Sequence, residues 1–122
     1  MREVRIKRVY EAPAADDGLR VLVDRLWPRG LKRQGSAIDR WLKEAAPSPE
    51  LRRWFGHDPA RWDEFRSRYE AELAANPGNL AALRELIRGS GRLTLLYAAR
   101  DTDHNHAVVL RDVVINQMKS NP

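Results

Sequence analysis

Two apolar runs, "LRVLV" at residues 19–23 and "RLTLLYAA" at 92–99, constrain this chain more than any other feature. Neither alternates cleanly between apolar and polar residues. That pattern marks strands covered on both faces, as in the middle of a parallel sheet flanked by other layers. Each run stops abruptly in a polar cluster. The first ends in Asp24, Arg25, Trp27, Pro28, Arg29 and Gly30; the second ends in Arg100, Asp101, Asp103, His104, Asn105 and His106. If the two strands are parallel neighbours, the clusters meet at one end of the sheet.

The remaining elements follow from shorter signals. Residues 3–10 alternate as a strand of weaker pattern, with the turn-rich "EAPAADDG" behind it. A short strand or irregular stretch is expected near Ile38–Leu42. Ser48-Pro49 and Asp58-Pro59 each pair a capping side chain with proline at the first helical position. The first helix ends at Gly56. In the second, Trp62, Phe65, Tyr69 and Leu73 recur at helical spacing. A third helix is expected over about 79–88, with Leu80, Leu83, Leu86 and Ile87 inward, and "GSG" ends it. The last runs over about 104–119, with Ala107, Leu110, Val114 and Met118 on its buried stripe.

The order is β–β–(β)–α–α–α–β–α. It predicts a small α/β fold: a mostly parallel or mixed sheet of three to four strands with helices packed on it. At 122 residues, 1–122 reads as one domain. The link between the first two strands is short for a parallel crossover, so that pair is expected to be antiparallel or the sheet mixed.

Charge narrows the partners. The net charge is +5, and eighteen of the 22 basic residues are arginine. Arginine's planar fork matches phosphate and carboxylate, so a small anionic or nucleotide-like ligand is the expected partner, with nucleic acid as a weaker alternative. Part of the excess belongs to solvated helix faces, since "ARWDEFRSRYEAEL" interleaves Arg with Asp and Glu. There are no cysteines, which excludes disulfides, thiolate catalysis and iron–sulfur clusters and fits a cytoplasmic location. No apolar run is long enough to span a bilayer, so no membrane partner is expected. The glycine-rich phosphate loop is missing. His104 and His106, two apart, do not share a helix face, so neither a metal nor another cofactor is expected.

The candidate ligand-binding residues are therefore Asp24, Arg25, Arg29, Asp101, Asn105 and His106. The last helix's N-terminus should add its free amides to an anion site. One of Asp101, Asp103 and Asn105 should cap that helix. The weak catalytic candidates are His104, His106 and Asp101, with a histidine as acid–base on a phosphorylated or nucleoside substrate. No spacing selects a reaction, and oligomeric state is not readable.

"KRVYE", "DDGLRVLVDRLWPRG", "WLKEAAPS", "LRRWFGHDP" and "LLYAARDTDHNHAVVL" together resemble the YeaO-like family of small bacterial proteins, domain of unknown function 488. The likeness covers almost the whole chain. It implies no firm activity. Many members of the broader superfamily carry L-C-x-E after the last strand and then C-H-R. In this chain Tyr97 stands at the first Cys and Ala99 at the Glu. Asn105 stands at the second Cys, His106 keeps the His, and Ala107 stands at the Arg. The relatives' D-V-R strand end is similar to Asp24-Arg25, with different spacing. The resemblance thus implies either a non-catalytic branch that keeps the pocket or one that uses residues other than the Cys and Glu.

Overall fold

A computed structural model describes residues 3–120. Four strands, β1 (Glu3–Arg8), β2 (Leu19–Leu22), β3 (Arg40–Trp41) and β4 (Arg92–Tyr97), form one sheet in the order β1-β4-β2-β3. All its pairings are parallel. Four helices, α1 (Pro49–Phe55), α2 (Trp62–Ala75), α3 (Pro77–Ser90) and α4 (His106–Ser120), join the sheet in the main core.

The two apolar runs are neighbours, with Leu19 beside Leu93 and Leu22 beside Leu96. Their residues divide between two faces. Val21, Val23, Leu93, Leu95 and Tyr97 meet the helices, whereas Leu22 and Leu96 pack with Val9 beneath Trp27, Leu31, Ile38 and Trp41. Helices cover one face and the loop after β2 covers the other, which is why neither strand alternates in polarity.

The expected antiparallel or mixed first pair is corrected. β1 and β2 do not touch; β4 lies between them, parallel to both. A parallel return requires the chain to travel only the length of the sheet. Residues 9–18, at up to roughly 3.3 Å each, exceed the roughly 20 Å of a six-residue strand without a crossover helix. Gly18 ends this link with φ +67°, and a Cβ there would lie 2.5 Å from the Arg92 carbonyl oxygen. Only glycine satisfies both the backbone angle and the close approach.

A polar network anchors the same link. Asp17 is 3% exposed and Arg20 6%. Their side chains form an ion pair, and Lys7 joins it at 3.1 Å. The Thr94 hydroxyl donates to the Asp17 carbonyl at 2.7 Å, and Arg20 Nε donates to the Ala37 carbonyl at 2.6 Å. Buried charges are tolerated when so fully partnered, and removing one member strands the others.

The helices start and stop where local chemistry dictates. Ser48 caps α1 by accepting the Leu51 amide, and Gly56 ends it in the left-handed conformation. Glu72 of α2 holds Ser48 through its backbone amide and its hydroxyl, at 2.8 and 2.6 Å. Phe65, Tyr69 and Leu73 are buried along α2, with Trp62 half-buried. The third helix starts at Pro77, two residues before the expected position, because the proline takes its first turn.

Two outcomes test this architecture. Phe65 is 2% exposed and stacks on Phe55 with ring centroids 4.2 Å apart. Phe65→Ala should cost about 3–5 kcal/mol in chemical denaturation; a near-neutral effect would contradict the burial. Burial alone would raise the Asp17 pKa, but the Ala14 amide, Lys7 and Arg20 outweigh it and hold the carboxyl below its ordinary value. Its stabilisation is therefore complete above the unfolded pKa of about 3.9 and is lost as pH falls through and below that value. Asp17→Asn should lower stability at neutral pH and flatten its decline in acid, measured as denaturation midpoint against pH.

Candidate ligand-binding cleft

Because β2 and β4 are parallel neighbours, their carboxyl ends open on the same side, where α/β sheets place ligands. A cleft of about 870 Å³ lies there. Its wall includes Asp24, Arg25, Arg29, Asp101 and His106, five of the six residues expected to bind a ligand. The sixth, Asn105, is 2% exposed and is not part of the wall.

Asp24 joins the two strand ends. Its Oδ2 accepts the Ala98 amide at 3.0 Å, and its carbonyl accepts Trp41 Nε1 at 2.7 Å. His106, the first residue of α4, brings Nε2 to 3.0 Å from both Asp24 Oδ1 and the Val23 carbonyl. One N–H serves one acceptor well. Its direction favours Val23, so Oδ1 is buried without a hydrogen bond of good geometry. Nε2 donates, so in the neutral ring Nδ1 is the acceptor. Edge-on to His106 lies the Tyr69 ring, at 6.4 Å. The Tyr69 hydroxyl donates to the Ala45 carbonyl, and its complete burial pushes its pKa far above the ordinary tyrosine value.

The turn before α4 is built from the remaining candidates. Asp101 Oδ1 accepts the amides of Asp103 and His104, both at 2.9 Å, and its Oδ2 meets His104 Nδ1 at 3.0 Å. Those amides, first Asp103 and then His104, hold the Asp101 carboxyl below its usual pKa. Asn105 is the cap: its Oδ1 accepts the Val108 amide at 3.2 Å and its Nδ2 donates to the Asp101 carbonyl at 2.9 Å. His104 turns away from the cleft and meets Trp62 edge-on at 5.3 Å. Among the described residues, no group of three or more His, Asp or Glu side chains is placed to hold a metal ion.

Arginines set the sign of the cleft. Arg25, Arg29, Arg52 and Arg100 line it against Asp24 and Asp101. Arg25 is partly engaged, donating to the Ala46 and Pro47 carbonyls at 3.2 and 3.4 Å. Arg29, Arg52 and Arg100 are exposed. The apolar part of the wall includes Leu26, Trp27, Phe55 and Phe65. Arg52, His57 and Arg100 were not among the sequence candidates for binding. Arg100 lies beside Asp101 and shared its polar cluster; Arg52 and His57 come from α1 and the turn behind it, with no local signal. His57 has φ +57°, a left-handed conformation uncommon outside glycine, directly after left-handed Gly56.

The positions resembling the superfamily's cysteines are neighbours here. Burial raises the Tyr97 pKa above the ordinary tyrosine value, against the lowering influence of the nearby Asn105 side chain. No helix among the described residues is long and apolar enough to cross a membrane.

A family model described as the inactive DUF488-N3 subclade matches residues 3–122. An uncharacterised protein of Mycobacterium tuberculosis is 46% identical over 113 residues, covering 91% of this chain and 92% of its own length. A Mycobacterium bovis protein has the same values. The uncharacterised protein YeaO of Escherichia coli is 45% identical over 109 residues, covering 89% of this chain and 94% of its own. No solved structure gives a significant match. With a match over nearly its full length and this identity to YeaO, the chain is a YeaO-like member of the DUF488 family, within the subclade described as inactive.

Proposed function

We propose that the cleft binds a small anionic or nucleotide-like ligand without transforming it. The observation that carries this reading is the convergence of four arginines on one cleft at the carboxyl ends of β2 and β4, beside the start of α4. Arg29 and Arg100 face the ligand's charge as exposed forks, and Arg25 adds what its carbonyl bonds leave over. The Asp24 carboxylate, partly exposed in the cleft wall, accepts a ligand hydroxyl or amine at Oδ2 beside the Ala98 amide. Trp27, Leu26 and Phe55 offer apolar surface to a planar or apolar portion.

Two features support binding rather than catalysis. The family description reads "inactive", and Tyr97, Ala99 and Asn105 stand where the superfamily pattern has Cys, Glu and Cys. Of the catalytic candidates, His104 is turned to Trp62, and the Asp101 carboxylate is engaged by two amides and His104. A nucleic-acid role has less support, because Arg66 and Arg68 on α2 already pair with Glu70, Asp112 and Glu64.

Thermal unfolding at fixed ionic strength, with inorganic phosphate, pyrophosphate, nucleotides and phosphosugars, tests the proposal. A ligand at 100 times its dissociation constant adds roughly 2.7 kcal/mol. Loss of a charge-assisted hydrogen bond is worth about 1.5–3 kcal/mol, so Arg29→Ala or Arg100→Ala should weaken binding about tenfold or more. Arg25→Ala should also abolish the shift, while lowering basal stability through its lost carbonyl bonds. Arg68→Glu, on α2, should leave the shift intact. If no anion exceeds a salt control, or if Arg29→Ala and Arg68→Glu behave alike, the proposal fails.

A further inference from the structure

The free edge of β1 has a self-complementary pattern. β1 is an outer strand of the sheet. In a parallel ladder, alternate residues direct both backbone groups to the same neighbour. The Glu3 amide bonds the Gly91 carbonyl at 3.0 Å and the Val9 amide bonds the Tyr97 carbonyl at 2.8 Å, so the odd positions face β4. Val4, Ile6 and Arg8 therefore turn their N–H and C=O groups away from the sheet. Glu11 satisfies Arg8: its carboxylate accepts the Arg8 amide at 2.7 Å, and its amide donates to the Arg8 carbonyl at 3.0 Å. Among the described residues, Val4 and Ile6 have no such partners.

Proteins usually protect such an edge with free charges, lysine above all. The cations of β1 are not free. Lys7 folds back onto Asp17 and the Ala12 carbonyl, Arg5 onto Glu3 and Asp16, and Arg8 onto the Ala98 and Ala99 carbonyls. The edge is left open by its own ion pairs.

We infer that β1 pairs antiparallel with β1 of a second copy about a two-fold axis through Arg5, making one eight-stranded sheet. This register places Val4 opposite Ile6 of the second copy, and the reverse. Both are outward-facing pairs, so four inter-chain hydrogen bonds form. Glu3 falls opposite Lys7 of the second copy on one face, flanking the central arginines with opposite charges, and Val4 meets Ile6 on the other, so the apolar face is continuous across the axis. The two Arg5 residues meet in a pair without hydrogen bonds, each with Glu3 and Asp16 beside it. Competing registers are poorer. Centring on Ile6 opposes Arg5 with Lys7 and calls on the Arg8 groups already taken by Glu11. Centring on Val4 pairs only Val4 with itself among the described residues. α4 packs over β1, so the two-fold also brings the two α4 helices to the same side of the sheet.

Light scattering behind size exclusion should give twice the 14.1 kDa chain mass. Ile6→Pro removes an N–H that lacks a partner within the chain, a change tolerated at a sheet edge. It should give the single-chain mass with an unchanged far-UV circular dichroism spectrum. Arg5→Cys provides an independent readout that does not depend on the proline variant folding. The wild type has no cysteine, and an antiparallel pair without hydrogen bonds holds its Cα atoms at about 4.5 Å, within disulfide range. Mild oxidation should link Arg5→Cys into a covalent dimer much faster than Arg68→Cys. A monomeric wild type at its highest attainable concentration would overturn the inference, including one that takes up a foreign strand instead. So would a natively folded Ile6→Pro dimer, or equal linking rates for the two cysteine variants.

Discussion

The parallel pairing of β2 with β4 is the contact on which the rest of this structure depends. It places two strands, covered on both faces, at the centre of the sheet and brings two polar clusters far apart in sequence to one end. Asp24 locks that end: one carboxylate oxygen accepts the Ala98 amide, and the backbone carbonyl accepts the Trp41 indole. Val23 and Asp24 together receive His106, so the start of α4 is fixed to the strand ends by its first side chain. Loss of this pairing would separate the arginines that line the cleft.

Members of the superfamily pattern differ from this chain where the cleft meets α4. The two positions that resemble the pattern's cysteines hold Tyr97 and Asn105, a buried phenol and a buried helix cap. A tyrosine ring fills space that a thiol would leave open. The place of the pattern's glutamate is taken by Ala99, which has no ionisable group. The histidine persists, but its Nε2 hydrogen bonds a strand carbonyl. The positions that resemble that pattern's Cys, Glu and Cys are thus held in this chain by a buried phenol, a methyl group and a helix cap.

Much of this was legible beforehand because its causes are local. Ser48-Pro49 and the spacing of Phe65, Tyr69 and Leu73 act within a few residues, so caps and helix faces could be read directly. The nearly continuous apolarity of residues 19–23 and 92–97, broken by Arg20, Arg92 and Thr94, told of cover on both faces. Strand order was not legible, since the insertion of β4 between β1 and β2 is a long-range pairing that no local pattern encodes. The short link 9–18 suggested an antiparallel first pair or a mixed sheet, when it is instead a return along the sheet that includes a 3-10 turn at Ala15–Asp17 and is held by the Asp17–Arg20 pair. The lining of the cleft was half legible for the same reason. Asp24, Arg25, Arg29, Asp101 and His106 follow from the strand ends, whereas Arg52 and His57 arrive from α1 and its following turn through packing alone. His104 and His106 looked alike in sequence. Asn105 between them caps the helix, leaving His104 in the preceding turn against Trp62 and His106 on the helix facing the strand ends.

The central claim is that the strand ends of β2 and β4 form one anion-binding surface. A proton–nitrogen NMR titration with pyrophosphate at constant ionic strength tests it most directly. Saturable shifts should gather at the backbone amides of residues 24–29 and 98–107, with the Arg29 and Arg100 side-chain signals moving alongside them. Shifts that fail to saturate, or that gather instead around Arg61 and Arg68 at the start and along the length of α2, would contradict the account.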